Sequence, residues 1–240
     1  MTRTVVVVGV GPGLGSAVAR EFAREGDRVA LFARSEEYLT DLADRLRSDT
    51  PGDARAIPTD ITDPDAVVSG FDTVRDAFGG VDILVFTAFS TGVEGGGITD
   101  TTAADLTHTW ATRVLGAFRC ATEVTDDMVH NGGGSIVFVN SGASVRPTGT
   151  LATTTARHAA RGLIRSMSAD PELGEAGVQS MHVIVDGWID KLSLREKYPE
   201  YDQWMDPDDI AAVISDLASA PDTVHGSEID LRHPSDDLSF

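Results

Sequence analysis

Gly9, Gly11, Gly13 and Gly15, with Pro12 and Leu14 among them, follow directly on the apolar run Val5-Val6-Val7-Val8 and precede a segment of helical spacing. Glycine lets the backbone take positive φ and come close to a ligand. A helix opening behind such a turn aims unpaired N–H groups and the positive end of its dipole at whatever lies there. The chemistry this suits is retention of a nucleotide diphosphate by main-chain amides. The common G-x-G-x-x-G pattern fails when started at Gly9, because Leu14 stands at the third glycine. An ordinary tight strand-to-helix turn is the plain alternative. A second group ends the next apolar run, Leu31-Phe32-Ala33-Arg34-Ser35. An acid there would bind a ribose 2′-hydroxyl and repel a 2′-phosphate. Ala33 removes the acid, Arg34 offers a planar donor fork and Ser35 a further donor, which favours NADP(H) over NAD(H). A solvated arginine at a helix start is the competing reading.

These groups need strands to end beside them and helices to start behind them. Apolar runs at residues 3–9, 28–33, 54–59, 81–87, 135–140, 179–185 and 228–231 read as strands, and their unbroken hydrophobicity predicts burial on both faces. Helical spacing fills 16–25, 36–47, 64–78, 102–130, 153–169 and 207–218, with Asp63-Pro64 and Asp206-Pro207 as starts. Alternating βα units predict an α/β fold: a Rossmann-type, doubly wound, seven-stranded, mostly parallel sheet with helices on both faces. No linker divides residues 1–240, so one domain is expected. The glycine-rich stretch 92–97 is expected to form a lip of the pocket after the fourth strand.

The chain carries 38 acidic against 19 basic residues, a formal charge of −19, with Lys191 and Lys197 its lysines. Such a surface repels nucleic acid, and its self-repulsion would be screened by concentrated salt, so a halophilic host is expected. An acidic partner-binding face is the alternative. No apolar run is long enough for a bilayer, and residues 1–8 do not read as a signal peptide, so a cytoplasmic protein without membrane contact is expected. Cys120 is the single cysteine and sits in a helical run, as a buried thiol would; the six histidines form no metal-binding pattern.

Read as G-x-x-x-G-x-G, the turn resembles that of the short-chain dehydrogenase/reductase family. The resemblance extends through Arg34, Asp60, Leu115-Gly116-Ala117-Phe118, Asn140-Ser141 and residues 156–163, nearly the whole chain. It implies reduction of a carbonyl or oxidation of an alcohol on a small-molecule substrate. Asp60 and Ile61 are then placed beside the adenine and Gly187 and Ile189 beside the nicotinamide, and Ala88 is the cofactor-binding residue kept from the family's Asn-Asn-Ala-Gly, which here reads Phe86-Thr87-Ala88-Phe89. Ser141 matches the serine that hydrogen-bonds the substrate oxygen. The family's Y-x-x-x-K becomes Thr153-Thr154-Thr155-Ala156-Arg157, with Thr153 at the tyrosine and Arg157 at the lysine, where it would also bind the nicotinamide ribose. An aliphatic hydroxyl is a far weaker acid than a phenol. Another proton source is therefore required: water held by Ser141 and Thr153, His158, or Asp186. The helix asparagine is replaced by Arg113, and Trp188 lines the pocket or belongs to a core or interface.

Three functions follow. The first is an NADP(H)-dependent oxidoreductase with an atypical catalytic set, and the second is an NADP(H)-binding sensor or partner subunit without hydride chemistry. The third is chemistry like that of halohydrin dehalogenases, which the retained glycine turn opposes. The resemblance also implies a homodimer or homotetramer built through helices 102–130 and 153–169, and no motif in the sequence requires a metal.

Overall fold

Every residue of β1 (Thr4–Val8) is buried in the computed structural model, which describes residues 2–90, 96–221 and 223–235. Successive strand side chains point to opposite faces, so Val5 and Val7 enter one core while Val6 and Val8 enter another. That double burial is why the run is apolar without alternation. After the glycine turn come α1 (Leu14–Arg24), β2 (Arg28–Ala33), α2 (Glu36–Asp49), β3 (Asp53–Pro58), α3 (Pro64–Phe78) and β4 (Ile83–Phe86). Next, α4 (Ala103–Trp110) passes through a π-helical turn at Ala111–Leu115 into α5 (Gly116–Asn131). β5 (Gly134–Ser141), α6 (Leu151–Ser168), α7 (Pro171–Glu175) and β6 (Val178–Asp186) follow. Last come β7 (Trp188–Ile189), α8 (Leu192–Lys197), β8 (Trp204–Met205), α9 (Pro207–Ala218) and β9 (Glu228–Arg232).

Seven strands form one sheet in the order β3-β2-β1-β4-β5-β6-β9. Its pairings are all parallel, so the expected doubly wound architecture holds, with a wholly rather than mostly parallel sheet. Helical crossovers account for this, since each returns the chain to the same end of the sheet. Phe22, Leu39 and Ile210 from α1, α2 and α9 cover the face of Val5 and Val7. Phe71, Val124 and Ile164 from α3, α5 and α6 cover the face of Val6 and Val8. From β1 the chain winds outward to β3, then starts again at β4 on β1's other side. The carboxyl ends of β1 and β4 therefore border a crevice, where sheets of this winding bind ligands.

The expected helix over 102–130 is interrupted by the π-helical turn, which inserts one extra residue and turns Arg113 into the protein. The helix expected from 153 begins at Leu151 because Thr150 caps it, its hydroxyl accepting from the Thr153 amide at 3.2 Å. β7 and β8 are two-residue strands that pair Trp188 with Trp204 and Ile189 with Met205, too short to leave a periodic signal. Residues 92–95 of the glycine-rich stretch lie outside the described residues. Cys120 is fully buried, and burial pushes its thiol up to about 12, so it is inert packing. Among the described residues no helix is long and apolar enough to cross a membrane, and no cluster could hold a metal ion.

Candidate functional site

The turn between β1 and α1 is built from glycines whose roles differ. Gly9 has φ +93°, and a Cβ there would lie 2.4 Å from the Ala88 backbone, so β4's continuation packs directly on it. A Cβ on Gly15 would lie 2.7 Å from the Gly9 carbonyl, which closes the turn. Thr87 ties the same layers together, its hydroxyl within reach of Val8 O at 2.9 Å and Gly9 O at 3.2 Å. Gly11 is different, because a Cβ there would meet nothing within 4 Å. The helix behind the turn carries no acid in its first turn; Ser16 reaches back to Gly13, its Oγ accepting from the amide at 3.4 Å and donating to the carbonyl at 2.9 Å. By contrast α2, α3, α4 and α9 all start with acids: Glu36 and Glu37, Asp65, Asp105, and Asp208 and Asp209. In so acidic a chain, a helix start free of carboxylates is a place suited to an anion.

Two cavities flank this turn and share Gly9, Gly11 and Phe89. One, of about 520 Å³, takes in Arg34, Ser35, Asp60, Ile61 and Ala88, along with His108 and Thr112. Arg34 is exposed and has no ion-pair partner among the described residues, and Ser35 starts α2 without spending its hydroxyl on a cap. Asp60 Oδ1 accepts from the Thr62 amide at 2.9 Å and hydroxyl at 2.7 Å, and the amide bond is the main reason its carboxyl titrates below the usual range. The Ile61 side chain is buried against Gly116, whose missing Cβ would lie 3.0 Å from it. That glycine lets α5 approach the cavity floor.

The other cavity, of about 470 Å³, takes in Pro12, Gly13, Leu14, Gly15, Ser141, Arg157, Gly187 and Ile189. Ser141 ends β5, and its Oγ accepts from Arg157 Nη1 across a short contact and from the Ala143 amide at 3.3 Å. Asn140 organises what lies behind. Its Oδ1 accepts from Arg113 Nη2 at 2.8 Å and from the Ser141 amide at 3.0 Å, while Nδ2 donates to Arg157 O at 3.3 Å. Arg113 also donates to Ala88 O and, at 3.3 Å, to Val139 O, although its buried Nε has no partner. Burial, and after it the charge of Arg157, pushes the Arg113 guanidinium down to about 9; burial alone lowers Arg157. Both remain cations at neutral pH.

Thr153 lines neither cavity. Its Oγ1 contacts Thr150 Oγ1 at 2.9 Å and donates to Thr150 O at 3.1 Å, so the hydroxyl is spent within the first turn of α6. A phenol from that position would extend well past the backbone, whereas a threonine hydroxyl bonds locally. The structure thus brings Ser141 and Arg157 together but leaves Thr153 outside. The other expected proton sources are also elsewhere. Asp186 is ion-paired to Arg146 and to Arg232, and exposed His158 has Nδ1 3.0 Å from Thr154 O. Trp188 belongs to an aromatic cluster with Tyr198, Tyr201 and Trp204, at centroid distances of 4.6, 5.6 and 6.1 Å, and does not line the cavity. Sequence reasoning missed Asn140 and Thr87 as site residues, while Phe89 and Lys191 fall in the segments 89–101 and 188–203 expected to form the pocket. The signal for Asn140 was available as one polar residue closing the buried run Ile136–Val139.

A family model described as short chain dehydrogenase matches residues 3–190. An uncharacterized oxidoreductase of Staphylococcus aureus is 26% identical over 230 residues, 96% of each chain. One of Bacillus subtilis is 26% identical over 213 residues, 85% of this chain and 77% of its own. Among solved structures, an alcohol dehydrogenase from the archaeon Thermococcus sibiricus complexed with 5-hydroxy-NADP superposes with TM-score 0.85 at 22% identity, over all of both chains. L-sorbose reductase from Gluconobacter frateurii, complexed with NADPH and L-sorbose, superposes with TM-score 0.87 at 22% identity, over 97% of this chain and 95% of that one.

Proposed function

Because the chain belongs to the short-chain dehydrogenase family, we propose that it is an NADP(H)-dependent oxidoreductase acting on a carbonyl or alcohol. One observation carries this reading: paired cavities meet at a glycine turn, with unpaired Arg34 in one and the Ser141–Arg157 contact in the other. The fit of a dinucleotide rests on Gly11, which lines both cavities and where a Cβ would meet no atom within 4 Å, and on the carboxylate-free start of α1. Residues 9–15 would hold the diphosphate, Arg34 and Ser35 the 2′-phosphate, and Asp60, Ile61 and Ala88 the adenosine. Gly187, Ile189 and Arg157 would hold the nicotinamide side. When bound, the cofactor supplies or accepts a hydride at carbon.

This chain's own residues act on the oxygen. Ser141 accepts from Arg157, which leaves its proton free to donate to a substrate carbonyl, and the guanidinium favours developing negative charge there. Thr153, His158 and Asp186 do not line the cavity, so the proton for that oxygen is assigned to water entering the open site. Calorimetry with NADP and NAD tests the binding half. Arg34→Ala should weaken NADP by roughly 10- to 100-fold, the range of a charge-assisted hydrogen bond, and leave NAD unchanged. Absence of binding to either dinucleotide overturns the proposal. Ser141→Ala should remove NADPH oxidation with ketones and aldehydes without weakening NADP.

The Thr153 hydroxyl turned into its own helix favours a second reading, a dinucleotide-binding protein without turnover. Tight NADP binding with no oxidation across a broad carbonyl panel would select it. A second copy of the chain is the proposed partner, seated on the outer face of α4 and α5, where Trp110, Leu115 and Phe118 are exposed. Light scattering giving a monomer mass would reject that assembly.

A further inference from the structure

Among the described residues, nine of the 19 basic side chains are ion-paired to carboxylates, some of them to more than one. Arg3 contacts both Glu25 and Asp27 at 2.5 Å, and Arg75 reaches Asp72, Glu123 and Asp127 at 3.1 to 3.3 Å. The Ser141 cavity gathers cations that have no such partner. Arg113, Arg157 and Lys191 line it, no acid does, and none of the three has an ion-pair partner among the described residues. Arg113 is 5% exposed, and its donors go to uncharged oxygens. Acids near the cavity in sequence are committed elsewhere, Asp186 to Arg146 and Arg232, and Asp190 to Arg195. Buried cations without counter-charge are costly, and a cleft lined by one sign of charge concentrates ligands of the other sign.

Resting on the oxidoreductase reading, we propose that the substrate is a small 2-oxo acid, or its 2-hydroxy acid in reverse, whose carboxylate supplies the missing negative charge. Adjacency of the two functional groups follows from the direct contact between Ser141 Oγ and Arg157 Nη1. A carbonyl oxygen accepting from Ser141 and an anion accepting from the other guanidinium N–H groups must then lie within a bond or two of each other. Guanidinium and carboxylate also match as a planar fork. The balance closes: a hydride adds to the carbonyl carbon, the C=O π pair moves onto oxygen, and that oxygen takes one proton from water. One 2-oxo acid, one NADPH and one proton give one 2-hydroxy acid and one NADP⁺.

The test compares 2-oxobutanoate with its methyl ester, which keeps the activated carbonyl and removes the charge. At low chloride, kcat/KM should favour the acid by roughly 10- to 100-fold, the range of a charge-assisted hydrogen bond. Arg157→Met should bring the ratio near one, and Arg157→Lys should retain a preference. Because a ratio is read, weaker cofactor binding in the variants cancels. Oxamate, a carboxylate that cannot be reduced, is titrated calorimetrically with and without NADP, and should bind wild type and not Arg157→Met. A wild-type ratio of one or below, or no oxamate binding, overturns the proposal. Oxamate binding by a protein that ignores NADP would instead sink the oxidoreductase reading and keep the anion site.

Discussion

Gly11→Ala separates a glycine needed for folding from one kept for a ligand. The residue's φ lies outside the left-handed region, and the added methyl would meet no atom within 4 Å. Removing glycine's freedom from the unfolded chain stabilises by about 0.4–1 kcal/mol where the native backbone is compatible, or ~1–3 °C in Tm for a domain of this size. The methyl would instead occupy the opening shared by the two cavities. A diphosphate pushed off its main-chain donors loses at least one charge-assisted hydrogen bond, roughly 10- to 100-fold in NADP affinity. Gly9→Ala is the contrast, since its methyl would sit 2.4 Å from the Ala88 backbone at φ +93°. That variant should lose roughly 2–4 kcal/mol of stability through left-handed strain and displaced packing. Calorimetric NADP titration paired with thermal melts reads both. An unchanged NADP affinity in Gly11→Ala, with the melt also unchanged, would refute the claim that this opening cradles the diphosphate.

Arg113→Ala removes the guanidinium donor from the Ala88 and Val139 carbonyls and one of the two donors to Asn140 Oδ1, and urea unfolding should read a loss of roughly 3 kcal/mol; under 1 kcal/mol would mean the network is dispensable. The β6–β9 edge should weaken on acidification in two stages. Burial lowers the His182 imidazole below its ordinary 6.5, so stability falls as pH drops from 6.5 towards its folded value and the unfolded chain takes the proton first. Glu228, held at about 2 chiefly by Arg161 and then by His182, contributes above its ordinary 4.5 and loses that contribution between 4.5 and about 2. Solvent screening of this exposed group limits the lower stage to about 1 kcal/mol, and Glu228→Gln should flatten it in pH-dependent urea titrations. With a formal charge of −19, Tm should rise from dilute buffer to molar KCl, where the screening length is about 3 Å; equal midpoints would count against salt adaptation.

The glycine turn and the strands were legible because each answers a local demand. Positive φ at Gly9 and two-sided burial of Val5 to Val8 leave marks in single residues and short runs. Arg34 could be placed for the same reason, as it directly follows a strand whose end is easy to find. Arg113 could be placed on its helix but not aimed, since its partners come from two distant segments and the π-helical turn that rotates it carries no Gly or Pro before Gly116. Thr153 was matched by alignment with a longer side chain, and its orientation was settled by a competing bond to Thr150. Position along a chain says where a side chain starts. Reach and rival acceptors decide where it ends.

The extra residue in the helix between Trp110 and Gly116 has an effect on the opposite side of that helix. In a regular α-helix eight residues turn through roughly 800°, which would leave Trp110 and Phe118 about 80° apart; one residue absorbed by the π turn reduces this to roughly 20°. The two exposed rings, 41% and 52% accessible, therefore lie in one row for the same reason that Arg113 faces inward. A single-codon deletion at 111–115 would undo both at once, so pocket charge and outer surface are inherited as a unit: neither can drift by insertion or deletion without resetting the other.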